Sequence, residues 1–120
     1  FAIRTYSLPD LFAGKMHAVL CRRWKNRVKG RDWYDLAWYI SHHPELHLSH
    51  LEARMRQTGD WDHHTPLTAD ALMNLLARAI ENLNVGQATK EVMSFVKNPE
   101  QTTAWSREFF LEISERIICV

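Results

Sequence analysis

Apolar residues recur through most of the chain at spacings of three and four, the period of helices with one buried face. The exception comes first. Residues 1–7 (FAIRTYS) alternate apolar and polar, with aromatic and β-branched types, and predict a short strand. Leu8 to Leu20 then reads as a helix whose stripe is Leu8, Leu11, Phe12 and Val19, with Pro9 in the first turn, where its missing N–H costs nothing. A second helix spans Arg31 to His42, with Trp33, Leu36, Ala37 and Ile40 inward. Leu48–Gln57 forms a short third, followed by a turn-rich stretch over 58–66 (TGDWDHHTP). Thr68 caps a helix over Ala69–Leu83, whose Leu72, Leu75, Leu76, Ala79, Ile80 and Leu83 make an apolar face. Val85–Lys97 presents Val85, Ala88, Val92, Phe95 and Val96 and stops before Asn98-Pro99. Thr102 or Thr103 starts a last helix with Trp105, Phe109, Ile113 and Ile117 inward. The pattern predicts a mainly α protein, a bundle of about five to six helices preceded by a short N-terminal β-strand.

Composition narrows the class. The 120 residues suit one domain, and 46% hydrophobic with 24% charged residues is ordinary for a soluble globular chain. No apolar run is long enough to span a bilayer, and the start does not read as a signal peptide. Cys21 and Cys119 lie far apart without C-x-x-C spacing, so the sequence implies neither a disulfide framework nor a zinc site, and a cytoplasmic location is expected. The net charge of +1 conceals an asymmetry: residues 1–40 carry a balance of +5 and the remaining eighty −4. Positive charge gathered at one end suits a phosphate-rich partner, although a solvated basic loop explains it equally well. The chain opens at Phe1 in what reads as a mid-domain strand, and the expectation is a fragment of a longer protein.

Candidate chemistry falls in Leu8 to Ile40. Lys15 sits in the middle of the first apolar stripe, where an ammonium is costly unless its stem snorkels outward or an anion stands beside it. Gly14 costs about 1 kcal/mol relative to alanine inside a helix, which is tolerable if a backbone or ligand must approach beside Lys15. The basic segment Arg22–Gly30 (RRWKNRVKG) offers Arg22, Arg23 and Arg27, with Arg31 just beyond, as phosphate or nucleic-acid contacts; Trp24 either stacks on a base or packs inward. Asp32, Asp35 and Tyr39 share one face of the second helix. Two carboxylates there can bind a divalent cation or act as a base; equally, Asp32 caps the helix and the helix dipole favours Asp35. His42, His43, His47 and His50 cluster in sequence, as do His63 and His64 after Asp60 and Asp62. His43/His47 and His47/His50 have spacings that could ligate a metal on a helix, but Pro44 interrupts the first pair and no H-E-x-x-H occurs, so surface histidines are the ordinary reading.

The run Leu11–Leu20 (LFAGKMHAVL), then Arg22-Arg23, then Gly30-Arg31-Asp32-Trp33-Tyr34-Asp35-Leu36, resembles the AbiEii/AbiGii-type nucleotidyltransferase toxin family. In that family a helix bearing L-x-A-x-K is followed, after a basic segment, by R-D-x-x-D-L. The resemblance covers residues 5–40. It implies transfer of a nucleotide from an NTP, with Mg²⁺, to an acceptor such as tRNA, within a type IV toxin–antitoxin system that supplies a cognate antitoxin. It also implies that Lys15 contacts phosphate and that Asp32 is the active-site aspartate, supported by Asp35 and Arg31. The family's early glycine/serine motif followed by D-x-D, which holds Mg²⁺ and the triphosphate, has no counterpart in the 120 residues. The expectation is therefore the C-terminal helical part of such an enzyme. Residues 1–40 would carry the lysine and R-D-x-x-D, residues 41–120 would support them, and the fragment alone would have little activity and no cofactor of its own. An exposed strand edge at 1–7 would favour self-association. The alternative is a non-catalytic helical module that binds RNA or a protein through Arg22–Arg31. A purely structural bundle is the third reading.

Overall fold

The structure, a computed structural model, describes residues 7–21, 30–94 and 104–120. Six helices appear among the described residues: α1 (Leu8–Cys21), α2 (Gly30–His42), α3 (Leu48–Gln57), α4 (Ala69–Glu81), α5 (Val85–Met93) and α6 (Arg107–Ser114). Two short strands, β1 (Glu45–Leu46) and β2 (Ile118–Cys119), complete the order. The mainly α class is as the periodicity predicts. The expected N-terminal strand lies, apart from Ser7, outside the described residues, as do Arg22, Arg23, Trp24, Arg27, Phe95, Val96, Thr102 and Thr103. No helix among the described residues is long and apolar enough to cross a membrane.

Caps start the later helices. Thr68 Oγ1 accepts from the Ala71 N–H at 3.1 Å, and Asn84 Oδ1 accepts from the Gln87 N–H at 3.0 Å. Ser106 Oγ accepts from the Phe109 N–H at 3.0 Å, so α6 begins at Arg107 and not at Thr102 or Thr103. Phe110, not Phe109, is the fully buried ring of this helix, with Phe109 partly buried against the core. Phe110 is 1% exposed and meets the rings of Trp33 and Trp105 edge-on, with centroids 5.1 and 5.2 Å away.

The first helix differs from its expected face. Phe12, Ala13, Met16 and Ala18 are buried, while Leu8 and Leu11 are each 41% exposed. α1 packs chiefly against α3 and α2, and small residues on the contact face let the axes approach. A count of large apolar residues gives alanines too little weight. α2 includes Gly30, one residue before the expected start, and Gly30 is seated against α5. A methyl there would stand 2.2 Å from the Ala88 carbonyl oxygen, and the Gly30 N–H donates to Glu91 Oε2 at 2.9 Å. Asp32 is accordingly inside the first turn, favoured by the helix dipole, and is not the cap.

The parallel β1–β2 pair, Glu45 opposite Ile118 and Leu46 opposite Cys119, ties the end of the chain to the link between α2 and α3. The Ile118 N–H donates to Pro44 O and the Val120 N–H to Leu46 O, both at 2.9 Å. Leu46, fully buried, joins Phe12, Met16, Leu51, Leu72, Leu76 and Ile80 in the core beneath α1. The helix carrying Lys15 is thus held on an apolar floor.

Candidate functional site

Three helices bound a cleft of about 230 Å³ lined by Asp10, Leu11, Gly14, Lys15 and Ala18 of α1, Asp32 of α2 and Arg54 of α3. Lys15 stands at the edge of the buried face, not in its middle. Its ammonium nitrogen lies 3.0 Å from Asp35 Oδ2, with side chains 43% and 25% exposed. Both ways of keeping a lysine charged operate here: the stem reaches outward and a carboxylate meets it. The carboxylate paired with Lys15 is Asp35. Asp32, one helical turn earlier, lines the cleft itself. Tyr39, one turn beyond Asp35 on that face, is stacked on Phe12, with centroids 5.2 Å apart and planes 9° from parallel. The three residues expected to act together, Lys15, Asp32 and Asp35, are therefore brought to one place. Arg31 is exposed in the first turn of α2; Arg22, Arg23 and Arg27 lie outside the described residues.

The sequence pattern did not place Arg54 or Asp10 in a site, and it read His50 as a surface histidine. Arg54 lies over Gly14, its guanidinium carbon 3.7 Å from where a Gly14 methyl would stand. Arg54 Nε–H donates to His50 Nε2 at 3.0 Å, which leaves the His50 proton on Nδ1, 3.5 Å from Asp10 Oδ1. His47 Nδ1–H donates to the same carboxylate oxygen, and Ser49 Oγ lies 2.9 Å from His47 Nε2. Ser7 Oγ–H donates to Asp10 Oδ2 at 3.0 Å. The His47 hydrogen bond is the main reason the Asp10 carboxyl sits below its ordinary range. Ser7 and the charges of His50 and His47 add to it against partial desolvation. Two of the four clustered histidines thus have a structural task at the end of the cleft. His42 turns away and stacks on Trp38 at 4.9 Å. The spacing His50–Arg54 could have suggested a pair on one helical face, but that the pair faces α1 is a tertiary fact.

Chemically, the cleft presents two cations and three carboxylates, counting Asp35, on a half-exposed surface. Lys15 and Arg54 can hold phosphate oxygens, the first as a point charge and the second as a planar fork. Asp32 and Asp35 are hard oxygen donors of the kind that hold Mg²⁺ through one or two carboxylates together with substrate phosphates. The donor set fits that cation.

Among known proteins, no curated protein and no solved structure matches the chain. A family model does, over residues 1–112; its description is nucleotidyl transferase AbiEii toxin, type IV TA system.

Proposed function

Since the chain belongs to the nucleotidyl transferase AbiEii toxin family of type IV toxin–antitoxin systems, we propose that the Lys15–Asp32–Asp35 cleft holds an NTP triphosphate during nucleotide transfer to an RNA acceptor such as a tRNA 3′ end. Membership in a type IV system implies an antitoxin as partner. The observation that carries the reading is the convergence of Lys15 and Asp32 on one cleft, with Asp35 as the lysine's counter-ion.

In such a transfer an acceptor hydroxyl oxygen bonds to the α-phosphorus, the bond to the β-phosphate bridging oxygen breaks, and pyrophosphate leaves with that electron pair. The hydroxyl proton passes to a base. Catalysis of this kind is mostly positioning and neutralisation of charge. Lys15, steadied by Asp35, supplies a fixed positive charge to phosphate oxygens. Arg54, oriented by His50, supplies a second from the opposite wall. Asp32 and Asp35 would hold Mg²⁺, which when bound neutralises the triphosphate. Because the family's glycine/serine motif followed by D-x-D has no counterpart in these residues, the cleft forms one wall of the complete site, and this chain alone is expected to have little activity.

The test is labelled-NTP incorporation into RNA by the complete enzyme. Lys15→Ala and Asp32→Ala should each lower turnover by about 10²-fold or more, as for loss of one charge-stabilising contact. Unchanged turnover in both variants would sink the reading. RNA binding that falls steeply with salt and disappears on charge reversal of Arg22, Arg23 and Arg27 would then identify a binding module.

A further inference from the structure

A second cluster lies at the other end of α1, and no function discussed above uses it. His17 and Cys21 are four residues apart on the last turns of α1 and so share a face. Asp60 reaches the same place from the turn after α3. That turn depends on Gly59, whose φ of 78° is left-handed, and on the Asp60 N–H donating to Met55 O at 2.8 Å. One ligand atom from each of His17, Cys21 and Asp60 lies within 4.8 Å of the other two, and all three residues are half-buried. We propose that these residues form a binding site for a divalent transition metal of the zinc class, separate from the Lys15 cleft.

The donor set selects the metal. A sulfur, an imidazole nitrogen and a carboxylate oxygen suit Zn²⁺ or Co²⁺, whereas Mg²⁺ takes oxygen donors. Bonds of about 2.3 Å to sulfur and about 2.0–2.2 Å to nitrogen and oxygen place tetrahedral ligand atoms roughly 3.3–3.7 Å apart, so side-chain rotation of about 1 Å closes the present spacing. Three protein ligands leave a fourth position to water. Thr58 organises the cluster from outside. Its hydroxyl donates to Asp60 Oδ2 and lies 3.2 Å from His17 Nε2. The same hydroxyl reaches the Arg54 and Met55 carbonyl oxygens at 3.3 and 3.2 Å, so Thr58 ties the imidazole and the carboxylate to the end of α3 as an outer hydrogen-bond partner. The sequence spacing implied no zinc site because the third ligand comes from a turn 39 residues beyond Cys21. A metal here would fasten the last turn of α1, immediately before Arg22 in sequence, to the end of α3.

Co²⁺ titration of the chelator-stripped protein tests this directly. The expected result is a near-ultraviolet thiolate-to-cobalt charge-transfer band with strong visible bands of a tetrahedral ion, saturating at one equivalent and displaced by Zn²⁺. Cys21→Ser should abolish the charge-transfer band and Cys119→Ser should leave it. His17→Ala and Asp60→Asn should weaken binding, and Thr58→Val should lower affinity by about 10-fold, as loss of an outer hydrogen-bond partner does. His47→Ala and Lys15→Ala should leave the spectrum unchanged, so the result is independent of the nucleotide reading. Folded protein that shows no charge-transfer band at saturating Co²⁺, or a band that survives Cys21→Ser, would overturn the proposal.

Discussion

Two helices that share one core, α4 and α1, solve opposite problems. α4 is a helix whose large apolar residues go where periodicity sends them: Leu72, Leu76 and Ile80 are fully buried, and a threonine caps its start. α1 buries alanines and a methionine beside Phe12, leaves two leucines 41% exposed, and turns a charged residue toward a cleft. In α4 the large apolar side chains serve packing and the polar ones face outward. In α1 one face is packed and the adjoining face is left to charge, so the helix is positioned firmly by residues other than those that carry chemistry. Substitutions on the two helices should therefore separate stability from activity.

The largest contrast is between Leu76→Ala and Lys15→Ala. Leu76 is 0% exposed, and its truncation should cost about 2–5 kcal/mol in urea unfolding, with little direct effect on nucleotide binding. Lys15 belongs to a half-exposed pair worth about 1 kcal/mol or less, so its removal should hardly move the unfolding midpoint while activity falls. Equal losses of stability from the two variants would erase the distinction. Gly30→Ala comes next. The added methyl would meet the backbone oxygen of Ala88 at 2.2 Å and Val92 Cγ2 at 2.9 Å, and backbone cannot step aside as a flexible side-chain tip can. Overpacking of this kind should cost about 1–3 kcal/mol, and because Gly30 opens the helix bearing Asp32 and Asp35, activity should fall with it. A variant as stable as wild type would mean that α2 can start elsewhere.

Acid should reach the two regions through different carboxylates. Asp10, at the cleft, is held below its ordinary value of 3.8 chiefly by the His47 hydrogen bond. Glu52 is held below 4.5 first by the Leu67 N–H, 2.7 Å from Oε1, and then by Arg56, 2.9 Å from Oε2. A folded-state value below the unfolded one gives stability that is complete above the ordinary value and is lost as pH falls through the lower, folded one. Unfolding midpoints should drop as pH falls below about 4.5, and Asp10→Asn and Glu52→Gln should each flatten that slope. An unchanged slope in both variants would assign acid sensitivity to other groups.

What the sequence made legible follows the same division. Leu48–Gln57 coincides with α3, the Thr68 cap is present, and Trp33, Leu36 and Ile40 are buried as their spacing requires. Lys15, Asp32 and Asp35 stood out because charge in an otherwise apolar context is visible without a fold. The β1–β2 pair was not legible, since two residues are too few for alternation to register. Neither was the use of His47 and His50. His47 occupies the cap position of α3 but gives its side chain to Asp10, 37 residues earlier in the chain, so its spacing on α3 carries no trace of its task. Contacts between helices are set by which faces meet, and α1 misleads there by burying small residues.

Gly14 gives the smallest expected effect and a different sign. Glycine inside a helix costs about 1 kcal/mol relative to alanine, and the sequence suggested that something must press close beside Lys15 to justify it. In the fold, the nearest neighbours of a methyl at Gly14 are Arg54 guanidinium atoms at 3.7–3.8 Å, ordinary contact distances that displace nothing. The glycine is therefore not required by packing as it stands, in contrast to Gly30. Gly14→Ala should raise stability by roughly 0.5–1 kcal/mol in urea unfolding. The added methyl would nevertheless project into the cleft between Lys15 and Arg54. If triphosphate oxygens lie between those cations, the same variant should bind NTP more weakly, seen as a raised KM, while its unfolding midpoint rises. A gain in stability with nucleotide binding untouched would move the substrate away from this wall and leave Gly14 without a functional reason.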